Sequence, residues 1–206
     1  MSPVTKPKRT RLQPDARRAQ LVSCTMSAFA EHGLARGTHS HVAERAGVSV
    51  SAVHSYFRTR EDFVEVALNE VETHLLEMVL GALGGKGTVR ECLEALAAQF
   101  TQSARVDPDL FKVWLDWSTG VRADLWPRYI KLNDRFVEAA QKLLSRGKRE
   151  GEVPAEVNVK AAARLYIGGG HTAALMQFAG VSKREIGQFT DHLVASAMGA
   201  GPTSAS

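Results

Sequence analysis

Residues 38–57 read THSHVAERAGVSVSAVHSYF, and this stretch decides the fold. Val42, Ala43 and Ala46 recur at helical spacing and give a short first helix one apolar face. Gly47 stops that helix, because glycine takes the left-handed geometry of a helix end without steric cost. Val48 buries across the turn. Ser49 caps the next helix by accepting from an exposed backbone N–H. Val53 and Phe57 lie four apart, so they share a face and hold the second helix on the first. Ser51, Ala52 and Ser55 then point outward, flanked by His54 and Tyr56. A short helix, a glycine-bearing turn and a helix with a small polar outer face make a helix-turn-helix, whose second helix fits the major groove of duplex DNA. Taken alone, the stretch also fits an ordinary helical hairpin.

Charge separates the two readings. Residues 1–60 hold ten Lys/Arg and three acids, a net +7, against 16 basic and 19 acidic residues, a net −3, in the rest. A basic front on a slightly acidic body is the footprint of nucleic-acid binding, and a merely solvated surface does not explain the asymmetry. The chain has 206 residues and 44% hydrophobic content, enough for a full core in one large or two small domains. It lacks an apolar run of about 18 residues, so no membrane span is expected. The basic start lacks the apolar region of a signal peptide. Cys24 and Cys92 have no metal spacing and read as reduced thiols of a cytoplasmic protein.

Residues 1–12 carry KPKRTR and read as a disordered basic arm, either entering the minor groove through Arg9 and Arg11 or serving only as a soluble tail. Pro14 opens a bracing helix that runs to His32 and ends at Gly33. Thr38 or His39 caps the next helix. After Phe57, Thr59 caps a long linking helix, with Arg58 and Arg60 on either side. Its stripe is Phe63, Val66, Ala67, Val71, Leu75, Met78 and Val79. Gly81 to Gly87 is a glycine-rich break. Thr88 with Glu91 forms a capping box for a helix reaching about Arg105. Asp107-Pro108 starts an aromatic helix. Trp126-Pro127 opens a long one ending at Gly147. Further helices run from about Val159 and Ser182, the former through Gly168, Gly169 and Gly170. Each mid-helix glycine costs roughly 1 kcal/mol against alanine, so three together need a reason, such as close approach or room for a ligand. No strand alternation is visible, and the fold class is all-α.

The run VAERAGVSVSAVHSYFRTREDFVEVAL at 42–68 closely resembles the DNA-binding signature of the TetR family. KRTRL, GLARGTHSHVAE, FKVWLDWS, LWP and RGKREGEV extend the resemblance, over most of residues 8–175, to the quorum-sensing master regulators of the HapR, SmcR and LuxR type. The resemblance implies a helical homodimer: basic arm 1–12, helix-turn-helix domain 13–60, regulatory and dimerisation domain 61–200. It implies a dimer interface in the last two helices, for which Val181, Ile186, Phe189 and Leu193 are the candidates; their alternative is intramolecular core. Departures from the branch are informative. His54 stands where those proteins have phenylalanine, Ser55 where they have asparagine, Gly169 and Gly170 where residues are larger, and His171 where one is aromatic. Operator preference therefore does not carry over.

The DNA-binding candidates are Arg9, Arg11, Thr38, His39, Ser49, Val50, Ser51, Ala52, His54, Ser55, Tyr56, Arg58 and Arg60. For a regulatory cavity the candidates are Leu75, Met78, Val79, Trp114, Asn133, Val137, Ile167, Gly170 and His171, an apolar set with one or two polar groups. Plain core is the alternative. His39 and His41, two apart, are poorly placed to chelate, so a capping or phosphate-facing role is expected. No nucleophile elbow, HExxH or paired-carboxylate motif appears, so no catalytic residue, metal or cofactor is named. The reading is a cytoplasmic dimeric regulator that binds operator DNA and a small-molecule effector, and is not an enzyme. Its alternatives are a local drug- or metabolite-responsive repressor of the same family, or a helical ligand-binding protein or enzyme with an incidental basic front.

Overall fold

The computed structural model describes residues 13–120 and 124–199. Among these are nine helices and no strand: α1 Pro14–His32, α2 His39–Ala46, α3 Val50–His54, α4 Arg60–Leu83, α5 Val89–Val106, α6 Pro108–Thr119, α7 Trp126–Glu150, α8 Val159–Phe178 and α9 Lys183–Ala197. The all-α class is observed. They fall into two compact units, one up to Ala67 and one from Leu68, so α4 contributes to both. No helix among the described residues is long and apolar enough to cross a membrane.

Local chemistry sets most helix ends. Thr38 caps α2 by accepting from the His41 N–H at 3.4 Å. Gly47 ends that helix at φ 62° and ψ 37°, the left-handed region that favours glycine. Ser49 caps α3 by accepting from the Ala52 N–H at 3.2 Å. Thr88 and Glu91 form a full capping box for α5, as Ser182 and Glu185 do for α9. In the first unit Leu21, Phe29, Val42, Val53, Phe57 and Phe63 are buried, with Phe29 stacked on Phe63 at 5.3 Å between centroids. This core holds α1, α2 and α3 as one body.

Three ends differ from the sequence reading. Helix α3 stops at His54, and Phe57 reaches the core from the turn that follows. Helix α4 passes through Gly81 to Leu83, so the break begins at Gly84. Helix α7 passes through Gly147 and ends at Gly151, where φ is 80°. Gly147 is there for space instead: a Cβ would lie 2.6 Å from Val89 and 2.8 Å from Val153. Val48 is only half-buried.

In the second unit α8 packs against α5, α7 and α9. The buried Tyr166 hydroxyl donates to the Leu93 carbonyl at 2.6 Å and ties α8 to α5. Arg128 of α7 donates to Glu72 at 2.7 Å and Asn69 at 2.6 Å on α4, with its guanidinium 5.7 Å from the Trp117 ring centre. Arg146 donates to the carbonyls of Gly85 at 3.1 Å and Gly87 at 2.5 Å, which pins the glycine loop.

Candidate nucleic-acid interface and effector cavity

Helix α3 presents its polar side outward because Val53 fastens the other side to the core. Ser49, Val50, Ser51, His54, Ser55, Tyr56 and Arg58 are exposed, and Ala52 is half-buried. Thr38, at the start of α2, is also exposed. These candidates therefore lie on one accessible stretch of the first unit. Val50, 40% exposed, offers a methyl-sized apolar contact of the kind that suits thymine. The Ser49 and Ser51 hydroxyls share a hydrogen bond at 3.0 Å. Arg9 and Arg11 lie outside the described residues.

Two candidates are turned to structural work. Arg60 donates its guanidinium to the Leu34 carbonyl and so braces the loop after α1. His39 is half-buried: its Nε2–H donates to the Phe57 carbonyl at 2.9 Å, and its ring stacks on His54 at 3.9 Å between centroids. His41 is likewise half-buried, and its ring is stacked on His32 at 3.8 Å between centroids. A neighbour of these candidates that the sequence reading did not single out is Arg18 of α1. It is exposed and lines a surface groove with Ser55, Tyr56 and Arg58. The signal was present in the basic run at the start of α1, but periodicity alone does not say which neighbour an outer face meets. Beside this groove the Asp62 carboxylate accepts from the N–H of Thr59 at 2.8 Å and of Arg58 at 2.7 Å, and these bonds hold its pKa below the usual carboxylate value.

The second unit holds a partly open cavity of about 50 Å³. Leu75, Val79, Trp114, Asn133, Ile167 and Gly170 of the expected set line it. Met78, Val137 and His171 do not: Met78 and Val137 are buried in the core beside it, and His171 stands behind Trp114, ring centres 4.1 Å apart. The wall the sequence did not reveal comes from α5, with Leu96, Ala97, Phe100 and Thr101, joined by Phe136, Tyr166, Gly169, Ala173, Thr190 and Leu193. No lining side chain is charged.

The polar groups of the lining are mostly spent. Thr101 donates to the Ala97 carbonyl at 2.9 Å and Thr190 to the Gly187 carbonyl at 2.9 Å. The buried Trp114 Nε1–H has no hydrogen-bond partner among the described residues, and the half-buried Asn133 amide is a further polar group of the lining. Behind this wall, Tyr129 Oη and His171 Nε2 share a hydrogen bond at 3.0 Å. Burial pushes the Tyr129 phenol up to about 12 and the His171 imidazole down to about 4, so the pair is neutral. Among the described residues no cluster of three His, Cys, Asp or Glu is placed to hold a metal.

The four dimer-face candidates have different surroundings on α8 and α9. Ile186 is 4% exposed and belongs to the protomer's own core. Leu193 packs on Gly169, where a Cβ would collide with it, and lines the cavity. Val181 and Phe189 are half-buried. An exposed stripe also runs along α8, where Ala161, Leu165, Gly168, Thr172, Leu175 and Ala179 are all exposed at alternating spacings of three and four. Leu165 is 56% and Leu175 58% exposed, with Phe178 at 37% beside them.

The profile of bacterial regulatory proteins of the tetR family matches residues 21–67, the span of the helix-turn-helix and the start of α4. Over 168 residues, 82% of each protein, the chain is 31% identical to the HTH-type transcriptional regulator LuxR of Vibrio harveyi. The chain belongs to the TetR family. It is a DNA-binding transcriptional regulator of that family, and α2 and α3 are its helix-turn-helix. The TetR-type fold is matched over both units. A TetR transcriptional regulator from Chloroflexus aurantiacus superposes with a TM-score of 0.75 at 19% identity, covering 88% of this chain and 93% of that one. The regulator FadR from Bacillus subtilis, in complex with stearoyl-CoA, does so with a TM-score of 0.71 at 16% identity, covering 89% and 98%.

Proposed function

We propose that this TetR-family protein is a dimeric operator-binding regulator of the quorum-sensing master-regulator type, working in the cytoplasm on the nucleoid and modulated by a small neutral ligand. The likeness to LuxR over 82% of both chains carries the branch. The exposed α3 face carries DNA reading, with Arg18 and Arg58 beside it. The α8 stripe through Leu165 and Leu175 supplies the dimer face, since contiguous exposed apolar residues at helical spacing mark an interaction surface. A dimer of helix-turn-helix units reads two half-sites about 34–36 Å apart.

The ligand is an effector, not a substrate: the cavity lining contains no charged or nucleophilic group placed for chemistry. Its polar handles are the Trp114 N–H and the Asn133 amide. An apolar molecule with one hydrogen-bond acceptor satisfies them, whereas an acyl-CoA's phosphates would find no partner in this lining. Leu75 and Val79 of the wall belong to α4, and the same helix carries Phe63 and Val64 in the core of the reader unit. A ligand that moves this wall therefore acts on the helix that the reader is built on, and only its differential affinity for the two states shifts the balance. The test is a gel shift of the full chain on its own upstream DNA, with dimer mass measured in the same buffer. A chain that retards no duplex specifically, or does so as a monomer, refutes the proposal.

A further inference from the structure

The side chains of His54 and Ser55, at the end of α3, already have a donor engaged within the protein. His54 is exposed, yet its ring is fixed on two sides. Its Nδ1 lies 3.3 Å from the Arg58 carbonyl, and its face is stacked on His39 at 3.9 Å with only 14° between the planes. His39 is itself held, by its bond to the Phe57 carbonyl and by an edge-on contact with Phe63 at 4.7 Å and 90°. A carbonyl oxygen can only accept, so the hydrogen of the neutral His54 ring sits on Nδ1. Nε2 is left with a lone pair. Ser55 is constrained in the same sense. Its hydroxyl donates to the Ala52 carbonyl at 2.7 Å, so the exposed Oγ has only lone pairs to offer.

Two neighbouring side chains of the reader are thus acceptors. Acceptors do not bond phosphate oxygens, which are acceptors too. In the major groove the donors are the amino groups of adenine (N6) and cytosine (N4); guanine presents O6 and N7, and thymine O4 and a methyl. We propose that His54 and Ser55 form an acceptor-only reading pair, which selects operators presenting the amino group of adenine or cytosine to the end of α3 in each half-site. This rests on α3 being the DNA-reading helix. It goes further, in assigning which bases these two positions accept and why.

The experiment selects duplexes from a random pool with the full chain at about pH 8, the upper end of the range in which imidazole side chains titrate. It then measures the affinity of the selected site and of a copy in which the facing adenine is replaced by purine, or the facing cytosine by 2-pyrimidinone. Either analogue lacks the amino group. The expected result is a loss of about fivefold per half-site for the wild type, the worth of one net hydrogen bond. His54→Phe keeps an aromatic ring for the His39 stack but has no nitrogen, and it should show no further loss on the analogue. Ser55→Ala should relax preference at the adjacent base. Guanine or thymine selected at these positions overturns the inference, as does an equal analogue penalty in wild type and His54→Phe. The analogue on the wild-type chain decides the matter even where a variant folds poorly. A chain that selects no site at all overturns the operator reading itself, and is told apart because the pool then shows no enrichment at any position.

Discussion

Three successive glycines of α8 occupy three different surroundings, and that contrast is a sharp test of the packing. Alanine in place of a helical glycine gains about 1 kcal/mol from propensity alone. At Gly170 an added Cβ would meet Phe100 Cζ at 3.5 Å, an ordinary contact, so nothing offsets the gain. At Gly169 the same Cβ would collide with both Cδ atoms of Leu193. Overpacking of that kind costs about 1–3 kcal/mol, which cancels or exceeds the propensity gain. For a chain of this size 1 kcal/mol is worth about 2–4 °C in Tm. Gly170→Ala should therefore melt about 2–4 °C higher than wild type, and Gly169→Ala at the wild-type temperature or several degrees below. The assay is a thermal melt by circular dichroism on the full chain, supported by urea titration so that slopes can be compared. Equal upward shifts for both variants would mean that α9 does not press on α8 at Gly169, and the described α8–α9 packing would be wrong.

Other consequences are equally direct. His171 titrates at about 4 in the fold against 6.5 when free, so between these values the unfolded chain binds more protons; stability should fall as pH drops from about 6.5 to 4, and His171→Phe should flatten that limb of a Tm-against-pH curve. Leu175→Glu, on a residue 58% exposed, should leave the melting of the protomer intact while giving a monomer by mass and abolishing tight operator binding. Operator affinity should drop with salt with a log–log slope of about −0.9 per phosphate contact; a flat response between low and physiological salt counts against the basic front as a DNA surface. Gly170→Leu projects four more carbons into the cavity and should weaken operator binding in a folded dimer; a folded dimer with unchanged affinity would disconnect the cavity from the reader.

What is legible in the sequence is what local chemistry decides. Thr38, Gly47, Ser49, Thr88 and Ser182 mark helix ends because a hydroxyl or a left-handed glycine acts on its own next turn. Gly147 is misread by the same logic. It looks like a stop, but it is a mid-helix gap into which Val89 and Val153 press from elsewhere in the chain. His39 has a similar history: its spacing suits an outward role, and only the arrival of Phe57 and His54 shows that it faces in. The dimer-face candidates are ambiguous for a deeper reason. The apolar side of α9 has the same periodicity whether its cover is the protomer's own α8 or a second copy, so Ile186 and Leu193 cannot be told from interface residues in one dimension. On α8 the reverse holds, because Gly168 and Thr172 break up an exposed stripe that then reads as weakly apolar. The α5 wall of the cavity was hidden likewise: the spacing of Leu96 and Phe100 announces burial but not the void they border.

The size of that void limits how it can work. An apolar cavity of about 150 Å³ accepts benzene, and drug-sized ligands occupy about 300–1,000 Å³. The space here, about 50 Å³, is too small for either. The proposed effector would therefore have to displace wall atoms, so that its binding and a movement of the wall would be one event. Two parts of the wall resist: Tyr166 is pinned to the Leu93 carbonyl, and Gly169 already has Leu193 against it. Phe100 and Trp114 touch each other only edge to face, at 5.6 Å between centroids, and Gly170 leaves ordinary clearance beside Phe100. The buried Trp114 Nε1–H has no acceptor among the described residues, so an acceptor on the proposed effector would satisfy it. Leu75 and Val79 form the remaining wall, and Arg128 grips α4 through Glu72 on the turn just before them. If an effector binds here as proposed, the Arg128–Glu72 pair on α4 and the Tyr166–Leu93 tie are the contacts that its entry works against.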